Sequence, residues 1–390
     1  MRVKKLKLKQ FRNYDALELT LDPGVNLFFG PNGSGKTNLL EAVHYCALGR
    51  SHRTAQDREV IARDCEMGAC GVTMEKRDGV HDVAVKLLCA GEKRKQVFLD
   101  GKRTPRLANM MGMLQCVIFS PEDLMLVKDG PSVRRRFLDM LLSQLSTQYF
   151  LALQSYQQAL RQRNALLRQY RGVPVAADAF LPWEEAMARA AAVIVPERRR
   201  CCLRLSREAQ ERYRSISGRE REAFALTYES CLPENANISD AVFRALESAR
   251  GEDIRRGGTS FGPHREDLVL TIQGKDMRLF ASQGQMRTAA LAMKLSELAV
   301  FQQMAGEPPV LLLDDVMSEL DLNRRKRLLD EIRGVQTLIT CTDESDLNAQ
   351  EKYVPWRVYT DAAGKAQVMA CVHEEREQRL RELDDSFLDT

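Results

Sequence analysis

Eight consecutive residues, Gly30-Pro31-Asn32-Gly33-Ser34-Gly35-Lys36-Thr37, have the types and spacing to hold a polyphosphate. They fit G-x-x-x-x-G-K-[ST] at every fixed position, with Pro31, Asn32 and Ser34 at variable ones. Glycines at 30, 33 and 35 let the backbone curl until successive N–H groups point inward at phosphate oxygens. Lys36 can then reach the β and γ phosphates as a point charge, and Thr37 can offer its hydroxyl to Mg2+. A helix starting at Lys36 would turn its positive end toward the anion. The ligands expected from this chemistry are ATP and Mg2+. A chance glycine turn needs no particular flanks, whereas here an apolar run precedes the loop and an amphipathic stretch follows it.

A second group lies far downstream. Val310-Leu311-Leu312-Leu313-Asp314-Asp315 is an apolar run ending in two carboxylates, the form of a Walker B strand. Asp314 would hold Mg2+ directly or through water, and Asp315 would orient or polarise an attacking water. Lys36, Asp314 and Asp315 are thus the candidate catalytic set. Ser318-Glu319-Leu320-Asp321 follows, and Ser282-Gln283-Gly284-Gln285-Met286-Arg287 opens a helix upstream. Alone, the serine reads equally well as a helix N-cap. In this order, the set resembles ATP-binding-cassette ATPases, where a Ser-x-Gly-Gln-like signature and a D-loop accompany the two Walker motifs. The resemblance implies that Ser282, Gly284 and Gln285 act on nucleotide held by a second copy. ATP would then join two heads as a homodimer, and loss of the γ-phosphate would part them.

The elements that must position these groups are legible in outline. Val3, Leu6 and Leu8, with basic residues between them, read as a strand, and so do Leu17, Leu19 and Leu21. Residues 25–29 form a short buried strand and 36–48 a helix carrying Leu39, Leu40, Val43 and Ala47 on one face. Residues 68–100 read as a meander with turns at Asp78-Gly79, Ala90-Gly91 and Asp100-Gly101. From about 132 to 247 the pattern is mostly helical, with a break at Gly172-Val173-Pro174 and a long helix over 182–215 that Pro196 would kink. Strand texture returns at 268–272 and 277–280, a helix spans 285–304, and strands follow at 310–313 and 336–341. No sustained heptads occur, which excludes a long coiled-coil rod. The expected fold is α/β: an ATP-binding-cassette-type P-loop head with an inserted, mainly helical lobe. The expected division is 1–118 with 300–375 as the ATPase lobe, 119–299 as the helical lobe carrying the signature, and 376–390 as a charged tail.

The chain has 390 residues, 44% of them hydrophobic, and a net charge of only +4. Arginine crowds its centre at Arg134, Arg135, Arg136, Arg161, Arg163, Arg168, Arg171, Arg198, Arg199, Arg200, Arg204 and Arg207. That is the distribution of a basic face for nucleic-acid backbones, or of solvated and internally paired helices. Ten cysteines lie scattered without metal-ligand spacing, as expected of reduced thiols in a cytoplasmic protein. No stretch approaches the roughly 20 apolar residues of a membrane span, and no signal peptide is apparent.

Further stretches narrow the class. Gly49-Arg50-Ser51-His52-Arg53, Phe119-Ser120-Pro121-Glu122-Asp123-Leu124, Gly130-Pro131-Ser132-Val133-Arg134-Arg135-Arg136, Gln162-Arg163-Asn164-Ala165-Leu166-Leu167 and Gly262-Pro263-His264-Arg265-Glu266-Asp267 join the nucleotide motifs. Together they resemble the RecF family of bacterial DNA replication and repair proteins, over nearly the whole chain up to about residue 370. The resemblance implies a head like those of structural-maintenance-of-chromosomes proteins. It also implies ATP-dependent binding of single-stranded and linear double-stranded DNA, gapped or junction DNA included, with slow ATP hydrolysis. The implied partners are RecO and RecR in helping RecA load, in replication, gap repair and the SOS response. Two departures from the wider cassette class fit a slow switch: Thr342 stands near the place of the switch histidine, and Asp315 is shorter than the usual glutamate. The Q-loop position falls near Ser120 or Glu122. Two rivals share the P-loop. The ATPase subunit of a membrane transporter fits the arginine-rich insert poorly, and a small-molecule kinase leaves the signature and residues 318–321 unused.

Overall fold

Lysine alternating with leucine makes the first strand of the computed structural model, which describes residues 1–91, 94–171, 177–219, 222–234, 237–347 and 352–371. The tail at 376–390 and the break at 172–174 lie outside these residues. Strand β1 (Arg2–Phe11) buries Val3, Leu6, Leu8 and Phe11, and pairs with β2 (Tyr14–Thr20). The apolar β3 (Val25–Phe29) runs into the glycine loop and helix α1 (Lys36–Leu48). Strands β4 (Met67–Lys76), β5 (Gly79–Leu88), β6 (Lys95–Leu99) and β7 (Lys102–Thr104) extend the first pair into an antiparallel sheet ordered β2-β1-β4-β5-β6-β7. Strand β8 (Cys116–Phe119) then starts along a different sheet.

The intervening chain is mostly helical. It comprises α2 (Met125–Lys128), α3 (Pro131–Leu145), α4 (Thr147–Gln169), α5 (Leu181–Ser217), β9 (Phe224–Glu229), α6 (Ile238–Arg256), β10 (Asp267–Ile272), β11 (Lys275–Asp276), α7 (Met277–Phe280) and α8 (Gln283–Ala305). Local chemistry sets the helix ends. Pro131 sits in the first turn of α3, Ser146 caps α4, and Gly218 and Gly257 take the left-handed conformation after α5 and α6. Helix α5 has 37 residues and carries Pro196 inside it, giving a length of about 55 Å. The stretch 277–280, expected as strand, is helical. Asp276 accepts the Arg278 N–H at 2.8 Å, and the Ala281 N–H closes on Met277 at 3.0 Å, so the turn after Gly274 winds up rather than extending. Strand β9 lay inside a stretch expected to be helical; it pairs edge-on with β10, and its alternating Phe224 and Leu226 bury one face, with Phe224 stacked on Tyr213 of α5.

The chain returns to the sheet of β8 with β12 (Val310–Asp314), α9 (Leu322–Glu331), β13 (Thr337–Cys341), β14 (Tyr353–Thr360) and β15 (Ala366–Ala370). The order is β15-β14-β3-β13-β12-β8; all neighbours are parallel except β15 against β14. Strands β12 and β13 are buried at every residue, as largely apolar strands inside a parallel sheet should be. Two compact units result: Met1–Pro121 together with the chain from Pro308 onward, and Glu122–Glu307. The boundaries thus fall at 121/122 and 307/308 rather than 118/119 and 299/300, because α8 continues to Ala305 as one helix of the second unit. The architecture is the α/β head with a helical insert, and no rod of paired helices occurs among the described residues. All ten cysteines are free thiols. Among the described residues no helix is long and apolar enough to cross a membrane.

Candidate functional site

Strand β3 delivers the chain to Gly30 at the carboxyl end of the parallel sheet. Gly30, Gly33 and Gly35 adopt φ of 151°, 80° and 112°. At Gly30 sterics add to conformation, since a Cβ there would stand 2.0 Å from the Val358 carbonyl oxygen. The loop closes over Lys36, whose Nζ donates to the carbonyl oxygens of Gly30 at 2.7 Å and Pro31 at 3.0 Å. The ammonium is buried yet held only by neutral carbonyls, so an arriving anion finds it without an ion pair to break. Ser34 Oγ is also buried inside the loop and has no hydrogen-bond partner. An orphaned hydroxyl is costly unless a ligand satisfies it, and a phosphate oxygen is the acceptor that the cradle's shape supplies.

The carboxylates arrive from β12, two strands away across β13. Thr37 Oγ1 donates to Asp314 Oδ1 at 2.8 Å, so residues 277 positions apart share one bond. Thr340, one of two threonines in β13, donates to the same oxygen at 2.8 Å and accepts the Asp315 N–H at 3.0 Å. Burial pushes the Asp314 carboxyl up; the two hydroxyls pull it down and Asp315 pushes it further up, leaving it above the ordinary range. A buried carboxylate in that condition favours a cation. One carboxylate and one hydroxyl beside a phosphate cradle suit Mg2+, which keeps waters and phosphate oxygens as its other ligands. Among the described residues no cluster of three metal-ligating side chains exists, so a dedicated protein cage is not the arrangement here. Asp315 sits at φ 51°, a strained value for a non-glycine residue, and Ser318 Oγ donates to its carbonyl at 2.9 Å. Thr342 is exposed beyond the end of β13. Thr340, not Thr342, touches the Walker B carboxylate.

The sequence reading missed a polar brace behind the loop. The β1–β2 turn places Arg12, at φ 54°, against Glu41 of α1. Its guanidinium donates to both Glu41 oxygens, at 2.8 and 2.7 Å, and Ser51 donates to the same carboxylate. Burial raises Glu41, but Arg12 and Ser51 outweigh it and hold the carboxyl below its usual range. Asn13 donates to the Ser34 carbonyl at 3.2 Å and accepts from Asn38 at 2.8 Å. Tyr14 donates to the Gly35 carbonyl at 3.1 Å. The legible signal was Glu41 itself, a carboxylate between Leu40 and Ala42 on the buried stretch of α1 that needs a buried partner.

In the helical unit, Ser282 caps α8 through a reciprocal box: Gln285 N–H donates to Ser282 Oγ at 3.3 Å, and Ser282 N–H donates to Gln285 Oε1 at 2.8 Å. Ser282 and Gly284 are exposed, so this helix N-terminus faces solvent. Gln285 also donates to Glu222 at 3.1 Å. The central arginines divide in two. Arg134 is bidentate on Asp267, Arg163 binds Asp253 and Glu184, Arg198 binds Asp139, and all three are buried. Arg135 donates to the Glu266 carbonyl and Arg199 to carbonyls of 232–234. Arg200 pairs with Glu197, while Arg161, Arg171, Arg204 and Arg207 are exposed. Much of the basic cluster therefore holds the unit together from inside.

Known proteins share this construction. The family model for the RecF/RecN/SMC N terminal domain matches residues 2–365. The DNA replication and repair protein RecF of Symbiobacterium thermophilum is 42% identical over 367 residues, 92% of this chain and 96% of that protein. The RecF of Ruminiclostridium cellulolyticum is 39% identical over 349 residues, 88% and 93% of the two chains. A solved structure of the recombination mediator protein RecF-ATPrS in the RecFOR pathway aligns at TM-score 0.86 and 33% identity, over 95% of this chain and 98% of that one. Its RecF-ATP counterpart aligns at 0.85 and 33%, over 94% and 97%. An Smc head domain from Pyrococcus furiosus, at TM-score 0.55 and 17% identity over 98% of this chain and 99% of that one, shares the fold. The chain therefore belongs to the RecF family of DNA replication and repair proteins.

Proposed function

We propose that this chain is an ATP-dependent recombination mediator that binds ATP and Mg2+ at residues 30–37, closes as a homodimer on DNA and reopens after slow hydrolysis. The observation that carries the reading is the Thr37–Asp314 contact beside the unpartnered Ser34 hydroxyl, in a chain that aligns end to end with RecF-ATP. Backbone N–H groups of Gly33 and Gly35 and the Lys36 ammonium bind the phosphates. Thr37 and Asp314 would hold Mg2+, which when bound neutralises phosphate charge. Asp315 positions the attacking water. Its short side chain, and Thr342 rather than a histidine just past the end of β13, support slow turnover. Ser282, Gly284 and Gln285 present the exposed α8 N-terminus to the γ-phosphate on a second copy. RecF's place in the RecFOR pathway supports RecO and RecR as partners, with single-stranded, linear duplex and gapped or junction DNA as substrates. A transporter subunit is not favoured, since the relatives are DNA repair proteins.

Two variants test this. Lys36→Ala should weaken ATP binding by roughly 100-fold or more, because it deletes a charge-assisted phosphate contact in a buried loop. Ser282→Arg should leave ATP binding by the monomer intact while abolishing ATP-induced dimerisation in sedimentation. Tight ATP binding by the first variant, or normal dimerisation by the second, would refute the corresponding half of the proposal.

A further inference from the structure

The strand register sorts the solvent face of the six-stranded antiparallel sheet into rows, because directly opposed residues share a face. One row reads Glu18, Lys7, Gly71, Ala84, Phe98 and Arg103 from β2 to β7. The next reads Ala16, Lys9, Ala69, Lys86 and Gln96. The opposite face carries Leu6, Leu8, Val72, Val83 and Val85, all buried. The lysines of β1 thus project from a sheet whose far side is core. Among the described residues Lys9, Lys86 and Arg103 form no ion pair, and Lys7 shares Glu18 with Lys5 at 3.3 and 3.5 Å. Cations therefore outnumber carboxylates across these two rows. Phe98 stands among them, neither buried nor fully exposed, with only Ala84 and Arg103 opposite it. Low side chains at Gly71, Ala69 and Ala84 leave the ring and the cationic heads as the highest points of the surface.

An aromatic ring on an open sheet, with Arg103 directly opposite it, Lys86 diagonal on the next strand and Lys7 and Lys9 three strands along, is the composition that takes unstacked bases and their phosphates. A duplex offers no free base face to such a ring. We propose that this sheet face binds single-stranded nucleic acid, with Phe98 stacking a base and Lys7, Lys9, Lys86 and Arg103 holding the backbone. The inference rests on the DNA-binding function proposed above and adds to it a surface on the antiparallel sheet.

The test uses the full-length protein with ATP and a fluorescent (dT)20, beside a 20-base-pair duplex, read by anisotropy across a salt series. Lys7→Ala/Lys9→Ala/Lys86→Ala should weaken (dT)20 binding and flatten its log K against log salt slope by about 2, from about 0.7 per lost phosphate contact. Phe98→Ala should weaken (dT)20 binding by roughly tenfold and leave the duplex unchanged, while Phe98→Trp restores it. ATP binding serves as the folding control for each variant; the lysine variant, altered only at the surface, carries the test if Phe98→Ala loses it. Unchanged (dT)20 affinity and slope in the lysine variant would overturn the proposal. Equal loss on duplex and single strand would also overturn it, by making the face a general phosphate site. If wild type bound no DNA in any form, the functional reading itself would fail instead.

Discussion

Both units bury charge, and they do so to opposite ends. In the helical unit, Arg163 is fully buried and fully engaged: Asp253 at 2.7 Å, Glu184 at 3.1 Å, Thr259 at 2.9 Å and the Leu246 carbonyl at 3.0 Å. Arg250 completes the balance by gripping Glu184. At the phosphate loop of the sheet unit, Lys36 donates only to carbonyls, Ser34 Oγ has no hydrogen-bond partner, and Asp314 is held by two hydroxyls. A satisfied network fixes a shape, whereas an unsatisfied one is a demand that a ligand meets. Charge in the helical unit is architecture, as it is in the Arg12–Glu41 brace, and at the phosphate loop it is stored affinity.

The comparison makes predictions of different sign. The largest effect belongs to the satisfied network. Arg163→Met leaves Asp253 and part of Glu184 buried without their cation and should destabilise the chain by about 3–5 kcal/mol in chemical denaturation. A loss below about 1 kcal/mol would mean that the network is incidental. Next comes His264, whose Nδ1 meets Tyr156 Oη at 2.6 Å and whose Nε2 meets the Thr259 carbonyl at 3.1 Å. Burial pushes its pKa down to about 4 from an ordinary 6.5. Between those values the unfolded chain takes up a proton that the folded one refuses. Stability from this group is therefore full above pH 6.5, falls as pH drops toward 4, and levels below it. The full span is worth about 3 kcal/mol. His264→Gln should flatten that part of the stability–pH curve, and an unchanged curve would remove His264 as its cause. The smallest effect has the opposite sign. Asp314→Asn keeps the shape and an acceptor oxygen but deletes an uncompensated buried charge. It should raise stability by about 1 kcal/mol while abolishing Mg2+-dependent ATP hydrolysis. Destabilisation would show that the carboxylate is part of the architecture after all.

How much of this was readable beforehand depended on how local the cause was. The phosphate loop needs glycines at particular backbone angles and a lysine at a set distance, so its spacing survives in the letters. The run Leu311 to Asp314 announced itself because a strand covered on both faces must be apolar throughout. Thr37 and Asp314 could be assigned to one Mg2+ from their motifs, but the direct bond between them depends on β12 and β13 lining up beside β3. Thr340 was not singled out, because which residue of β13 faces the carboxylate is a matter of register; Thr342, weighed only for the place of the switch histidine, lies beyond the strand. Helix α7 escaped because a four-residue turn is decided by one capping carboxylate, Asp276, and not by periodicity. Arginines looked alike in sequence whether they were destined for Asp253 or for water. Strands β14 and β15 went unread, and Pro355 within β14 is tolerated there despite its missing N–H.

The order β15-β14-β3-β13-β12-β8 sets a timetable for synthesis. Strand β3 leaves the ribosome early, yet both its neighbours, β13 and β14, are encoded after residue 336. The loop that follows β3 stays without Asp314, Thr340 and the Val358 carbonyl until almost the last residues emerge. At roughly 5–20 residues per second, that wait lasts on the order of half a minute. Throughout it Leu27, Phe28 and Phe29 have no sheet to join, and the chain depends on chaperones or on the early antiparallel strands to keep them covered. Truncation anywhere before β14 should leave the phosphate loop without the strand that shapes it, however intact its own eight residues.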